Sequence, residues 1–157
     1  VIRHDPTALP PHAAPVRSPE KQYSDLGWEV YPEGLTRILC WVKERYGNIP
    51  LYVTENGIAL PEPMKLFGEA LHDPLRMDYL RRHLLAVAAA REAGVDVRGY
   101  FVWSLLDNFE WACGRSKRFG IVHVDLESQR RTLKSSAHFY REVIRSGGAS
   151  LNSDRGV

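Results

Sequence analysis

Helix-type and strand-type patterns alternate along this chain, and only two strand-type segments are apolar enough to lie in a sheet core. The two are residues 49–54 and 95–104, and helical patterns precede, separate and follow them. This alternation predicts a parallel α/β architecture, in which a helical crossover reaches each strand. Two strands cannot bury both faces of a parallel sheet, so we expect further strands to come from residues outside this sequence or from another chain.

Prolines and glycines mark the ends of the predicted helices. Pro32 opens the first, whose apolar positions recur at helical spacing, and Gly47 ends it. The second follows Asp73, a good N-cap residue, with a proline at its first position, and it runs to Gly94. The last is predicted at about residues 135–145 and is followed by two glycines.

The other segments predict less regular structure. Residues 1–22 hold five of the ten prolines and no apolar periodicity, so we expect a long loop there. The sequences FGIVHVD and RRTLK predict a short strand or hairpin before the last helix. Residues 148–157 are expected to form a frayed tail.

Composition excludes several classes of protein. The 157 residues are 44% hydrophobic and 25% charged, as in soluble globular proteins, and the net charge of +2 does not predict a nucleic-acid or membrane partner. No apolar run reaches the length of about 18 residues that a membrane span needs, and no signal peptide is evident, so we expect a cytoplasmic location. Two cysteines, Cys40 and Cys113, and six scattered histidines predict inert thiols, no metal and no organic cofactor.

Chemically reactive side chains follow both predicted core strands. Glu55 comes at the end of the first, before an Asn-Gly turn, and Trp103, Glu110 and Trp111 follow the second. Loops at the carboxyl ends of parallel strands share one face of the sheet, which is where α/β enzymes bind their ligands. Indole faces stack on sugar rings and carboxylates accept hydrogen bonds from adjacent hydroxyls, so this combination favours a sugar pocket.

Each of these residues has a structural explanation when it is taken singly. Most glutamates at strand ends are solvated, and an Asn-Gly pair is an ordinary turn. Trp103 alone could be a barrel-core side chain, and Glu110 alone could be a surface residue that caps a loop. The hypothesis of a sugar site therefore depends on two consecutive strands delivering such groups to the same face.

Five ordered motifs resemble one enzyme family. LYVTENGIA is similar to the nucleophile strand of glycoside hydrolase family 1, the β-glucosidase family, and GYFVWSLLDNFEWACGRSKRFGIVHVD is similar to its C-terminal signature. SDLGWEVYPEGL, HDPLRMDYLRRHL and RRTLKSSAHFYREVI match the family in order and spacing. The family fold is a (β/α)₈ TIM barrel of about 250 residues or more. The resemblance implies a partial barrel, about strands seven and eight: residues 1–22 as the loop after a missing strand six, residues 23–147 as the C-terminal part of the barrel, and residues 148–157 as a tail.

The same resemblance implies a role for five residues. Glu55 matches the nucleophile of a retaining β-glucosidase, which forms a covalent glycosyl intermediate. Trp103 matches the platform under the sugar ring, Glu110 the carboxylate that holds two hydroxyls, and Trp111 an indole N–H donor. Phe119 matches an aromatic near the wall of the sugar site. The expected substrate is an unphosphorylated β-glucoside or short β-linked oligosaccharide, because Glu110 would repel a phosphate.

The family's acid/base glutamate lies in an Asn-Glu-Pro motif that this sequence lacks. We therefore expect the isolated chain to be inactive and to need the missing N-terminal barrel residues for a complete fold. The alternative is a non-catalytic carbohydrate-binding remnant of the same barrel, and a third possibility is a partly folded fragment without function. Arg115 departs from the aromatic residue common in the family, which leaves aglycone preference open.

Overall fold

The computed structural model describes residues 2–7, 13–61 and 65–152. Within these three ranges the chain forms eight strands, three helices and two short 3₁₀ turns, Trp111–Cys113 and Ala149–Asn152. The helices are α1 (Pro32–Tyr46), α2 (Pro74–Glu92) and α3 (Ser135–Arg145). The strands are β1 (Ile2–His4), β2 (Ala13–Pro15), β3 (Leu51–Asn56), β4 (Lys65–Phe67), β5 (Ala70–His72), β6 (Val97–Val102), β7 (Val122–Val124) and β8 (Arg131–Leu133).

A parallel pair of strands lies at the centre of the fold. β3 runs beside β6 with Leu51 opposite Val97 and Asn56 opposite Val102. α2 connects the two strands, and α1 packs against α2. The other described strands form three antiparallel pairs, β1 with β2, β4 with β5, and β7 with β8. The predicted α/β architecture and the predicted hairpin after β6 are therefore confirmed.

The apolar core is formed where α1 and α2 pack on this strand pair. One buried cluster contains Leu39 of α1, Val87 and Ala90 of α2, Val97 of β6, and Val95 just before that strand. Because these side chains come from both helices and from the start of the second strand, their burial fixes the two helices on one face of the pair.

Prolines and glycines lie at the helix ends, as the sequence predicts. α1 begins at Pro32 and stops before Gly47, whose φ of 85° few other residues adopt. α2 ends two residues before Gly94, which has a φ of 80°. α3 has the predicted bounds and packs against α2.

The first core strand differs from its prediction in position and burial. It starts at Leu51 rather than at residue 49, and it extends to Asn56. The expectation that it is buried on both faces is wrong for this chain, because Tyr52 is 55% exposed and Phe101 of β6 is 56% exposed. Both side chains lie beside Gly99, on a face that the helices do not cover. Among the described residues, only two strands share this sheet, which is why the second face stays open.

The predicted loop at residues 1–22 contains a strand pair. β1 and β2 are antiparallel, with Ile2 opposite Pro15 and His4 opposite Ala13, so the expectation of loop throughout is wrong there. Strands of three residues are held by main-chain pairing and leave no apolar periodicity in the sequence. Residue 1 and residues 8–12 lie outside the described part of the chain.

Two further segments were not fully predicted. β4 and β5 form a hairpin after the Glu55 strand, and Gly68, with a φ of 60°, lies in its turn. In the predicted tail, Ala149–Asn152 forms a 3₁₀ turn that Arg81 contacts through the Leu151 carbonyl. Residues 153–157 lie outside the described part. None of the helices described here has the length and apolar character needed to cross a membrane.

Asp73 does more than begin a helix. Its side chain makes no cap hydrogen bond to α2, contrary to the predicted N-cap role. Instead it accepts hydrogen bonds from the Ser136 main-chain N–H at 2.8 Å and hydroxyl at 2.6 Å, and from Arg76 at 3.1 Å. Burial raises the pKa of Asp73, and the bonds from Ser136 oppose that rise. The carboxylate therefore joins the start of α2 to the start of α3.

A second buried carboxylate joins the segment after β6 to the β7–β8 hairpin. The Asp107 side chain is 1% exposed and accepts hydrogen bonds from the main-chain N–H of Gly120 at 3.0 Å and of Val124 at 3.3 Å. Lys134, which is fully buried, donates to the same carboxylate at 3.0 Å. Burial lowers the pKa of Lys134, the nearby Arg76 lowers it further, and the charge on Asp107 opposes both effects. This buried charge pair fixes the base of the segment that carries Glu110.

Candidate active site

A cleft of about 320 Å³ opens at the carboxyl ends of β3 and β6. All five residues predicted from the sequence line it: Glu55, Trp103, Glu110, Trp111 and Phe119. Four further residues complete the lining: Trp28, Asn56, Gly57 and Tyr79. A larger, more open groove of about 1060 Å³ lies between the β4–β5 and β7–β8 hairpins and contains none of the five. The smaller cleft therefore carries the chemistry that the sequence predicts.

The two strand ends meet at close range inside this cleft. The main-chain N–H of Trp103 donates to the Asn56 carbonyl at 2.9 Å. A Cβ atom on Gly57 would lie 1.6 Å from the Trp103 carbonyl oxygen, so only glycine fits there. This contact holds Glu55 and Trp103, which come from different strands, at neighbouring points of the cleft.

Replacing Gly57 by alanine is expected to lower the free energy of unfolding by about 3 kcal/mol, the upper end of the cost of overpacking. The added methyl group meets a main-chain carbonyl, which cannot move without separating the strand ends. Urea denaturation followed by tryptophan fluorescence measures the change. The matched control is Gly68→Asn, because no atom lies within 4 Å of that position and asparagine tolerates its positive φ. A Gly57→Ala protein as stable as the Gly68→Asn protein would contradict the close contact.

The segment between Trp103 and Phe119 forms a loop with a closed base. The main-chain N–H of Ser104 donates to the Phe119 carbonyl at 3.4 Å, and that of Ile121 donates to the Ser104 carbonyl at 2.9 Å. Near the tip, the Glu110 N–H donates to the Gly114 carbonyl at 2.6 Å. The loop therefore leaves the strand and returns to it within a fixed frame, and it presents Glu110 and Trp111 to the cleft.

The two indoles of this loop region differ in exposure. Trp111 is 84% exposed and has a φ of 42°, whereas Trp103 is only partly exposed at the strand end. Phe119 is 2% exposed and lies 6.2 Å from Trp28, ring centre to ring centre. Phe119 therefore supports the wall of the cleft by packing against Trp28, which is 58% exposed.

Neutral aromatic groups surround Asn56 on the side of the helices. The Tyr100 hydroxyl donates to the Asn56 side-chain oxygen at 2.7 Å, and burial raises the pKa of the Tyr100 phenol. Burial also raises the pKa of Tyr79, while a hydrogen bond with the Asn56 side chain lowers it. His83 stacks on Tyr79 with ring centres 3.8 Å apart, and burial lowers the pKa of His83, which favours its neutral form. The residue that follows Glu55 is thus held by uncharged partners.

Sequence reasoning missed Trp28 and Tyr79 as residues of the cleft. Both lie inside motifs that resemble the family, SDLGWEVYPEGL and HDPLRMDYLRRHL, but neither carries a predicted role. One indication was available: the first turns of a crossover helix lie at the same end of the fold as the carboxyl ends of the strands, so a phenol there can reach the site. The exposed indole of Trp28 depends on how its loop folds back, which no local pattern predicts.

The cleft combines two carboxylates with exposed indoles and a phenol. Such a set can accept hydrogen bonds from several hydroxyls and stack on the C–H face of a sugar ring. The structure describes no group of three or more His, Cys, Asp or Glu side chains that could hold a metal ion, within residues 2–7, 13–61 and 65–152. The cleft chemistry therefore fits a carbohydrate.

Comparison with known proteins agrees with this chemistry. A 1,4-beta-D-glucan glucohydrolase from Thermotoga neapolitana is 51% identical over 123 residues, which are 78% of this chain and 28% of that protein. A bifunctional beta-D-glucosidase/beta-D-fucosidase from Bifidobacterium breve is 50% identical over 125 residues, 78% of this chain and 27% of that protein. The chain therefore spans less than a third of the length of these relatives.

A solved structure shows the same arrangement of elements. The family 1 β-glucosidase from Thermotoga maritima superposes with a TM-score of 0.86 at 44% sequence identity, over 94% of this chain and 33% of that one. The sequence profile of Glycosyl hydrolase family 1 matches residues 6–149. The match includes both strands that deliver the cleft residues and all three helices around them. The chain belongs to Glycosyl hydrolase family 1.

Proposed function

We propose that this chain is the nucleophile-bearing part of a retaining β-glucosidase. The observation that carries the proposal is the cleft at the ends of β3 and β6, in which Glu55, Trp103, Glu110 and Trp111 line one space. Two independent strands supply these groups, and the relatives reported above are named a 1,4-beta-D-glucan glucohydrolase and a beta-D-glucosidase/beta-D-fucosidase.

The proposed reaction proceeds in two displacements. In the first, a Glu55 carboxylate oxygen attacks the anomeric carbon of a β-glucoside, the bond to the leaving oxygen breaks, and a glycosyl ester forms on Glu55. In the second, water attacks the same carbon and releases Glu55 as a carboxylate. Two inversions give net retention of configuration, so the first product is the β-anomer of the sugar.

The other cleft residues hold the sugar in this proposal. Trp103 supports the ring by stacking, Glu110 accepts hydrogen bonds from two hydroxyls, and the Trp111 indole N–H donates to another. Phe119, which packs behind Trp28, supports the wall of the sugar site. The sugar is unphosphorylated, because Glu110 would place a second negative charge against a phosphate. Glucose is the proposed glycone, with galactose or fucose tolerated.

A retaining glycosidase needs a second carboxyl about 5 to 5.5 Å from the nucleophile, to protonate the leaving oxygen and then to activate water. In the proposal Glu110 holds hydroxyls, so the acid/base comes from the family's Asn-Glu-Pro motif, which is not in this sequence. The open face beside Tyr52 and Phe101 supports a larger barrel in which β3 and β6 are strands seven and eight. The active molecule is therefore proposed to contain this chain and further N-terminal barrel residues.

The test is an assay of a polypeptide that joins this chain to a family 1 barrel carrying Asn-Glu-Pro. We expect it to hydrolyse an aryl β-glucoside, to release the β-anomer first in proton NMR, and to be much less active on the 6-phosphorylated glucoside. The 157-residue chain alone is the control and is expected to show no hydrolysis. Sugar binding without hydrolysis by the extended polypeptide would favour the carbohydrate-binding remnant instead, and release of the α-anomer first would contradict retention.

A further inference from the structure

Asn108, which has no proposed contact with the sugar, holds the side chain of Glu110. The Asn108 side-chain N–H donates to the Glu110 carboxylate oxygen Oε2 at 2.9 Å. Within the described residues this is the only hydrogen bond made to that carboxylate. A carboxylate can only accept, so the Asn108 amide must present its nitrogen to Glu110 and its oxygen to the opposite side. There, the buried Ser104 hydroxyl lies 3.4 Å from Asn108 Oδ1.

This contact decides which lone pairs of Glu110 remain for a ligand. Asn108 occupies one site on Oε2, which leaves Oε1 and the second lone pair of Oε2 to accept hydrogen bonds from a ligand in the cleft that Glu110 lines. Without that donor, the glutamate side chain would sample several rotamers, and each sugar hydroxyl would have to order it on binding. The charge-assisted hydrogen bond from Asn108 fixes the Glu110 carboxylate before a ligand binds.

The main chain of the loop does not depend on Asn108. Its base is fixed by hydrogen bonds of Asp107, from Gly120 at 3.0 Å and to Val122 at 3.1 Å, and its tip by the Glu110 N–H to the Gly114 carbonyl. None of these bonds uses the Asn108 side chain. Removing that side chain should therefore free the carboxylate while the loop stays in place.

We infer that Asn108 is a positioning residue, whose amide holds the Glu110 carboxylate in the orientation that accepts the sugar hydroxyls. The inference rests on the proposed function, because it assigns Glu110 a substrate to bind. Asn108 itself touches no sugar in this scheme and acts only through Glu110. Its effect is therefore expected on recognition of the glycone, and not on folding.

The experiment is a double-mutant cycle in the extended polypeptide that carries the whole barrel. Asn108→Ala is expected to lower kcat/KM for an aryl β-glucoside by about 10- to 100-fold, the range for losing a hydrogen bond to a charged group. Asn108→Asp is expected to lower it further, because two carboxylates would then face each other. In a Glu110→Ala background, Asn108→Ala is expected to cost less than about twofold, since its only target is gone.

A structural control separates positioning from stability. Asn48 also uses both ends of its amide, donating to the Gly94 carbonyl at 3.1 Å and accepting from the Asp96 N–H at 3.0 Å, away from the cleft. Asn48→Ala is expected to lower Tm and to leave kcat/KM unchanged at a permissive temperature. Asn108→Ala is expected to leave Tm unchanged and to lower kcat/KM.

The inference is overturned if Asn108→Ala leaves kcat/KM unchanged, if its loss is equally large in the Glu110→Ala background, or if Tm falls in parallel with activity. An extended polypeptide without any β-glucosidase activity would overturn the proposed function and this inference with it. An active polypeptide that fails the cycle would overturn the inference alone.

Discussion

The Glu55→Gln substitution is expected to lower kcat/KM for aryl β-glucosides by about 10⁴-fold or more in the extended polypeptide, as removal of an attacking group does in other enzymes that form covalent intermediates. The amide has nearly the shape of the carboxylate but carries no negative charge, and it cannot form the glycosyl ester. Glu55 lies at the end of β3 among the cleft residues, so the change leaves the fold and the sugar contacts in place. Steady-state kinetics and Tm measure the two effects separately.

A chemical rescue identifies the missing step. In Glu55→Ala, azide is expected to attack the anomeric carbon from the side that the carboxylate vacates, expel the aryl group and give the α-glucosyl azide, which NMR identifies. Glu44→Gln, an exposed change on α1, is the matched control and should retain full activity. Activity in Glu55→Gln above about a tenth of the parent value would exclude Glu55 as the nucleophile.

The second large effect is expected in stability. Asp107→Ala should lower the free energy of unfolding by about 3 to 5 kcal/mol, the cost of leaving a buried charge without its partner. The Asp107 side chain is 1% exposed and Lys134 is fully buried, so water cannot replace the lost contact. The same substitution also removes the acceptor of two main-chain N–H groups, those of Gly120 and Val124.

A surface pair provides the comparison for that measurement. Asp78 and Arg82 are 3.3 Å apart on α2, and the Asp78 side chain is 51% exposed. Asp78→Asn should shift the urea midpoint little, because solvent screens this pair. Equal shifts of the midpoint in Asp107→Ala and Asp78→Asn would show that the buried pair adds no more stability than the surface pair.

The sequence predicts the helices well because each has two independent indications. Apolar positions at helical spacing place α1 and α3, and prolines or glycines mark their ends, so α3 has the predicted bounds and α1 begins at Pro32. The β1–β2 and β4–β5 pairs carry neither indication. Their strands have three residues each and are stabilised by pairing with a partner, which a local pattern does not show.

In the site, too, residues that lie in local motifs could be predicted, whereas charges buried by distant partners could not. Motif resemblance named Glu55, Trp103, Glu110, Trp111 and Phe119, and the structure brings all five to one cleft. Their catalytic and binding roles stay predictions until the kinetics above are measured. The buried charges could not be predicted, because charged residues are mostly exposed and their burial depends on distant partners. Asp73, for example, is satisfied by Ser136, 63 positions along the chain.

The closed base of the loop between Trp103 and Phe119 bears on how such enzymes diversify. Ser104 and Asp107 hold the base of the loop, so insertions or exchanges nearer the tip need not disturb the strand that carries Trp103. The opposite holds at Gly57, where the main chains of two strands touch and leave no room for change. In the proposed function, exchanges at the loop tip would therefore change sugar or aglycone preference, while the spacing of the strand ends that carry Glu55 and Trp103 would stay the same.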